Sequence, residues 1–206
     1  MSYKLYQDDL PANLNLGSII ACDCEFTGLN PPKDKLCLVQ LYSKNSKEVH
    51  IVQFINRDNY KAPNLIKLLT NQDIKKVFHF ARKDTEMLRW ALDINVNNVE
   101  CTKIQSRLAR GYSSQHSYKA LVQEFCGISI SKAKQASDWG KKDLDSKQLE
   151  YSANDVLHIL KIHEELNKIL VREKRMELYK ESLKFLKVRV ELDIAGYEKT
   201  DIWSHE

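Results

Sequence analysis

The stretch Ile19-Ile20-Ala21-Cys22-Asp23-Cys24-Glu25-Phe26-Thr27-Gly28-Leu29 decides how the rest of the chain is read. It begins as a run of small and β-branched apolar residues, the composition of a strand buried on both faces. Asp23 and Glu25 then enter two residues apart. Strand side chains alternate, so both carboxylates project from one side. Two like charges at the end of a buried strand repel each other and lose hydration. A divalent cation relieves both costs: Mg²⁺ takes one or two carboxylates, keeps several waters and completes its shell with substrate phosphate. Thr27-Gly28 closes the strand, which leaves the acids at its open end. A solvated acid pair at a frayed strand end is the plain alternative, and the rest of the chain has to decide.

Downstream, Asn30-Pro31-Pro32-Lys33-Asp34 is a turn. Leu36–Tyr42 and Val49–Phe54 read as strands separated by the polar turn Ser43–Lys47, which makes a three-stranded meander. Upstream, Asp8, Asp9, Pro11 and Asn13 break any periodicity, so residues 1–17 read as an approach segment. Pro63 opens a short helix, Asn64–Leu69, ending at Asn71. Ile74–Phe80 is a strand that feeds a helix at Ala81–Ala91. Val99–Thr102 is a short strand before a helix at Ile104–Ala109, stopped by Gly111. Tyr118–Phe125 is helical and Gly127 is its C-cap. Ser131–Lys142 is polar, with Trp139 its only large apolar group. Asp145-Ser146-Lys147-Gln148 resembles a capping box. It opens a helix with Leu149, Val156, Leu160, Ile162, Leu166 and Ile169 on its apolar face. A further helix follows at Arg175–Lys187, and Val190–Trp203 is apolar and aromatic enough to be docked. No repeat, low-complexity tract or linker interrupts the chain. The expectation is one α/β domain over 1–206, a mixed central sheet flanked by helices, with a helical C-terminal third.

At 206 residues the chain can bury a substantial core. Hydrophobic residues make up 43% and charged residues 29%, the balance of a soluble globular protein. A net charge of +4 permits a phosphate-bearing ligand but falls short of a long basic nucleic-acid groove. The five cysteines, Cys22, Cys24, Cys37, Cys101 and Cys126, are odd in number and lack zinc-ribbon spacing. They read as buried thiols in a reducing compartment. No targeting pattern or membrane-spanning apolar run is present, so a soluble, cytoplasmic protein without a membrane partner is expected.

Two later features carry chemistry. Asp84 falls in the first turns of the helix after Val77-Phe78-His79-Phe80, sharing a face with Leu88. As an isolated residue it would simply complement the helix dipole. Tyr151 and Asp155 are four apart on a helix, one turn from each other. A phenol beside a carboxylate can orient a water, or accept its proton if nearby cations lower the tyrosine pKa. Four carboxylates gathered at one spot would suit a two-metal site for in-line phosphoryl displacement.

In this order, Asp-x-Glu, a mid-chain Asp and Tyr-x-x-x-Asp, the motifs resemble the DEDD superfamily of 3′–5′ exonucleases, in the subclass with a tyrosine. That family has a ribonuclease H-like fold. The surroundings are similar to ribonuclease D: Leu38-Val39-Gln40-Leu41 after the first motif, and Ser137-Asp138-Trp139 and Gln148-Leu149-Glu150-Tyr151 before the third. This likeness covers roughly residues 15 to 170. Ribonuclease D continues into helical RNA-gripping domains, whereas this sequence stops. The compact length, and the tail with Leu192-Asp193, Gly196-Tyr197 and Asp201-Ile202-Trp203, resemble the nanoRNase C group of alphaproteobacteria.

The resemblance implies that Asp23, Glu25, Asp84 and Asp155 bind two divalent cations, Mg²⁺ or Mn²⁺, and that Tyr151 positions the attacking water. It implies that Leu29 is the wedge leucine inserted between the last two bases, with a plain core leucine as the alternative. His79 sits where family members often place a His or Asn, and a structural histidine fits equally well. The substrate implied is very short RNA, dinucleotides above all, and the assembly implied is a homo-octamer. A dinucleotide pocket needs a group for the 5′ phosphate; Arg110, His116, Lys119, Lys132 and Lys134 are the candidates. Other readings are a general ribonuclease D-like exoribonuclease on longer RNA, a DNA-directed exonuclease, and an inactive RNA-binding module on the same fold.

Overall fold

The computed structural model describes residues 2–131 and 136–205. Its frame is one mixed sheet of six strands in the order β1-β4-β3-β2-β5-β6. The central strand is β2 (Ile19–Phe26), and its neighbours explain the shape of the molecule. On one side it pairs antiparallel with β3 (Leu36–Tyr42), which pairs antiparallel with β4 (Val49–Gln53), giving the expected meander. On the other side it pairs parallel with β5 (Lys75–Phe78), and β6 (Val99–Cys101) extends the parallel edge. The β2–β5 pairing stops at Cys22↔Phe78. Asp23 to Phe26 therefore run past the end of β5 and leave that flank open.

The approach segment holds a strand that the sequence pattern did not show. β1 (Tyr3–Gln7) pairs parallel with β4 at the sheet edge. Its side chains are mostly half-buried or exposed, so no apolar run marks it. The acids that broke the periodicity have structural roles. Asp8 accepts the amides of Ile55 and Asn56, and Asp9 accepts those of Asn64 and Leu65. Those last two amides open helix α1 (Pro63–Thr70), whose own N-cap, Ala62, has no side-chain acceptor. A distant aspartate thus serves as the cap.

Helices cover both sheet faces. Cys22, Cys24 and Phe78 face a cluster with Ala81 and Leu88 of α2 (Ala81–Leu92) and Leu65 and Leu69 of α1. Ala21, Leu38 and Ile51 face the other way, against Leu149, Ala153 and Val156 of α5 (Ser146–Leu157) and Trp139. A third cluster joins α3 (Thr102–Ala109), α4 (Tyr118–Cys126), α6 (Ile159–Arg172) and Tyr179 of α7 (Met176–Leu192). The capping box at α5 is formed in both directions between Asp145 and Gln148, and Gly127 ends α4 at φ +70°. Among the described residues no helix is long and apolar enough to cross a membrane. All five cysteines are free thiols.

The single long helix expected after Asp145 is two helices that break at His158. The cause is a side chain inserted into the backbone ladder. The Tyr118 hydroxyl donates to the Asn154 carbonyl at 2.9 Å and accepts from the His158 amide at 3.2 Å. Those two groups would otherwise bond each other in an uninterrupted helix.

Beyond α7 the chain makes one loose turn at Asp193–Tyr197 and folds back on α2. Asp193 accepts two bonds from Arg82 (2.6 and 2.8 Å) and two from Arg189 (3.0 and 2.6 Å). The tail is docked, as its composition suggested, but through this ionic knot. Trp203 remains largely exposed, edge-on to Phe185 at 5.0 Å.

Candidate active site

Strand alternation places Asp23 and Glu25 on the α5 face of β2 and Cys24 on the α2 face. The ladder to β3 shifts register between Glu25 and Phe26, a bulge that ends pairing beside the second acid. From α5, Tyr151 and Asp155 project one turn apart onto the same spot. Ligand oxygens of Asp23, Glu25 and Asp155 all lie within 4.8 Å of one another. Asp84 lines the same cleft but stands outside this close group. It arrives from α2 on the opposite face, where its carboxylate is hydrogen-bonded by its own amide and by the Cys24 amide and thiol.

The chain reaches that position through an uncommon bend. Phe80 has φ +73°, a left-handed conformation that an aromatic residue rarely adopts. This turn swings the chain from β5 into α2 and leaves Phe80 partly exposed in the cleft, with the Lys103 ammonium 4.0 Å above its ring.

The electrostatics are those of an uncompensated anionic cluster. Burial, then the carboxylates of Asp84, Asp155 and Glu25, push Asp23 well above the ordinary range. Burial and the charges of Asp155 and Asp84 do the same to Glu25. Burial raises Asp84 to about 8, against the pull of its hydrogen bonds. Tyr151 is also raised, chiefly by burial and then by the Asp155 charge, and its hydroxyl is hydrogen-bonded to Asp155.

The cleft has a volume of about 610 Å³, within the size range of ligand pockets. Leu29 stands at its mouth with 64% of its surface exposed, so it is not a core leucine. His79 also lines it, bonded to Thr102 at 2.9 Å and packed 5.7 Å from the Tyr118 ring. On the far wall Trp139 lies 6.0 Å from the Tyr151 ring. Its loop is lashed down by Gln53 to the Lys141 and Lys142 carbonyls, and by Arg57 to Gly140.

Two of the basic candidates are placed elsewhere. Arg110 does not line the cleft. It is buried, and its guanidinium bonds Ser106, Ser113, the Gln115 carbonyl and Glu124, tying α3 to the loop before α4. His116 is held in the same network by Ser106 at 2.9 Å and does not line the cleft either. Their sequence context was basic and polar, but Arg110 turns inward onto three side chains and the Gln115 carbonyl, and His116 onto Ser106. Lys119 does line the cleft, and Lys132 and Lys134 lie outside the described residues. Lys83, Lys103, Phe80 and Tyr118 also line it and were not singled out from the sequence. Only Lys83 carried a signal there, as the neighbour of Asp84.

Comparison with known proteins bears on this geometry. A model of the 3′–5′ exonuclease family matches residues 7–171. The chain belongs to this family, in its ribonuclease D-like branch with NrnC. Ribonuclease D of Gluconacetobacter diazotrophicus is 32% identical over 158 residues, 77% of this chain and 39% of that one. Ribonuclease D of Xanthomonas oryzae is 35% identical over 125 residues, 61% of this chain and 34% of that one. The chain thus spans well under half the length of these curated relatives. Brucella melitensis NrnC bound to pGG is 39% identical with a TM-score of 0.94, covering 100% of both chains. The same protein with bound Mg²⁺ is 38% identical with a TM-score of 0.92, again over 100% of both. Escherichia coli RNase D, 20% identical with a TM-score of 0.73 over 84% of this chain and 45% of that one, shares the fold.

Proposed function

We propose that this ribonuclease D-like exonuclease is a metal-dependent 3′–5′ exoribonuclease acting on very short RNA, dinucleotides above all, and releasing nucleoside 5′-monophosphates. One observation carries the reading: three carboxylates within 4.8 Å of one another in a cleft, with a tyrosine hydrogen-bonded to one of them. Full-length likeness to a protein bound to pGG, a 5′-phosphorylated dinucleotide, supports the substrate class.

The residues present fit a divalent cation. Their donors are hard carboxylate oxygens, half-buried and repelling one another, the set that suits Mg²⁺ or Mn²⁺. Asp23, Glu25, Asp84 and Asp155 would hold two ions. Bound there, the cations would neutralise the acids, favour ionisation of a water and stabilise the leaving oxygen. The chain's own residues do the rest. Tyr151, its hydroxyl hydrogen-bonded to Asp155, orients the attacking water at the phosphorus of the last linkage by accepting a hydrogen bond from it. The water oxygen bonds to phosphorus as the bond from phosphorus to the 3′ oxygen breaks; the water's proton ends on that 3′ oxygen, and the phosphate stays on the 5′ oxygen of the released nucleotide. Leu29 offers an exposed apolar wedge to the terminal bases, and Phe80 a partly exposed ring on which a base can stack. Lys103 and Lys119 add positive charge along the wall for the phosphates, and His79 takes part in lining the substrate side.

The same reading includes a single nuclease unit over residues 1–206, a cytoplasmic setting supported by five free thiols, and assembly into a homo-octamer. An outward apolar side of α7, with Leu178, Phe185 and Val188 exposed, supports assembly.

The test is a length series of 5′-labelled RNAs from a dinucleotide to a long oligomer with Mg²⁺, run beside the Asp23→Asn variant. Much faster cleavage of the dinucleotide is expected. Equal rates at all lengths would identify a general exoribonuclease, and binding without cleavage an inactive module. Asp23→Asn should abolish turnover with the fold intact; a fully active variant sinks the metal-site assignment.

A further inference from the structure

Leu29 has a placement problem. With most of its surface exposed, its side chain is not held by packing, so its position over the cleft must come from its backbone. On the N-terminal side the chain is confined at Gly28. A Cβ there would lie 2.5 Å from the Asp34 carboxylate, so any larger residue would force the loop or Asp34 to shift. On the C-terminal side the Leu29–Asn30 peptide is gripped at both poles. The Asn30 amide donates to Asp34 at 2.8 Å, and the Leu29 carbonyl accepts from the Lys83 ammonium at 3.0 Å. A peptide unit is planar, so fixing its N–H and C=O fixes the orientation of the residue before it.

Lys83 is committed to this task. Only 14% of its side chain is exposed, although it lines the cleft. Besides Leu29, its ammonium faces the Glu86 carboxylate at 2.6 Å and that of Glu198 at 3.7 Å. One proton goes to the Leu29 carbonyl, and the two carboxylates neutralise the charge as ion pairs. Glu86 is buried on the same helix, and Glu198 belongs to the tail that Asp193 knots to Arg82. The ammonium therefore joins the Leu29 loop, α2 and the C-terminal tail at one point. The next residue along α2 is Asp84, so one helical turn sets both a carboxylate of the candidate metal site and the wedge at the mouth.

We propose that Lys83 is a positioning residue for substrate: it holds the Leu29 carbonyl and so sets where the leucine meets the terminal bases, without itself contacting the phosphates. The proposal rests on the reading of Leu29 as a substrate contact. The experiment is a double-mutant cycle on a dinucleotide with Lys83→Met, Leu29→Ala and the pair, with Lys83→Arg as the conservative variant and amide exchange of residues 27–35 as a readout independent of activity. Lys83→Met is expected to raise KM about tenfold with kcat changed less than about threefold, the mark of lost binding rather than lost chemistry. In the Leu29→Ala background the same change should add little, because the group it acts through is gone. Lys83→Arg should recover part of the KM, and Lys83→Met should speed exchange at Asn30.

Effects that add in the double variant would overturn the proposal and make Lys83 a direct substrate contact. Unchanged exchange at Asn30 would also overturn it, whatever the kinetics. Should Leu29→Ala itself leave KM unchanged, the wedge reading falls and the proposal with it. Should the wild type cleave no RNA, exchange alone decides whether Lys83 holds the loop.

Discussion

Lys76 is fully buried on β5, where its ammonium donates to the carbonyls of Asn71 and Ile74 at 2.5 and 2.6 Å. Burial lowers its pKa from 10.5 to about 8. The unfolded chain therefore binds more protons than the folded one between these values, and stability should rise with pH across that window. Lys76→Met removes this dependence. Its stability relative to wild type should improve as pH falls from 10.5 to about 8 and level off below, as urea titrations at several pH values would show. A constant difference across the window would mean the lysine stays charged in the fold. Gly28 offers a second test. Gly28→Ala forces the loop off Asp34 and should lower kcat/KM about tenfold with little change in melting temperature, since the loop is exposed. Unaltered kinetics would show that the loop yields without cost.

Among the elements, the junction of α5 and α6 bears most directly on the site. Tyr118 separates the helices by occupying the bond between Asn154 and His158, and Asp155 is the residue beside that opening. Tyr118→Phe lets the two backbone groups pair directly, which straightens the helix and shifts Asp155. Stability should change by about 1 kcal/mol or less, because one direct backbone hydrogen bond takes the place of two to the hydroxyl. Turnover should fall about tenfold or more, because small displacements of reacting groups are costly. A variant with full turnover would show that Asp155 is placed independently of the kink.

For the whole molecule, the acids of the site come from three elements on two sheet faces, so a cation bound among them cross-links the fold. Mg²⁺ at a hundredfold excess over its dissociation constant should stabilise the wild type by about 2.7 kcal/mol and raise its melting temperature by about 5 °C. Asp23→Asn should show no such shift in a thermal melt; an equal shift would place the ion elsewhere. The tail knot belongs to the same scale. Burial opposes the charge of Asp193, but the hydrogen bonds from Arg82 and Arg189 outweigh it and hold its pKa below the ordinary range. Asp193→Asn leaves two arginines short of their acceptor and should cost about 2 kcal/mol, read by chemical denaturation.

What the sequence determined by itself was local or repeated in its pattern. The strand Ile19–Phe26 with its two acids, the meander, the capping box at Asp145 and the glycine stop at Gly127 all depend on residues within a few positions of one another. The spacing of Tyr151 and Asp155 likewise places them on one helical face. The tertiary structure decided what depends on partners far along the chain. β1 exists because β4 offers it an edge, and α1 is capped by an aspartate more than fifty residues away. One helix became two because Tyr118 reaches into it from α4. Arg110 and His116 turned inward to hold their loop, while Lys83, Lys103 and Phe80 reached the cleft. A basic side chain carries no mark of which way its backbone will face it, and that choice is made only when the elements pack.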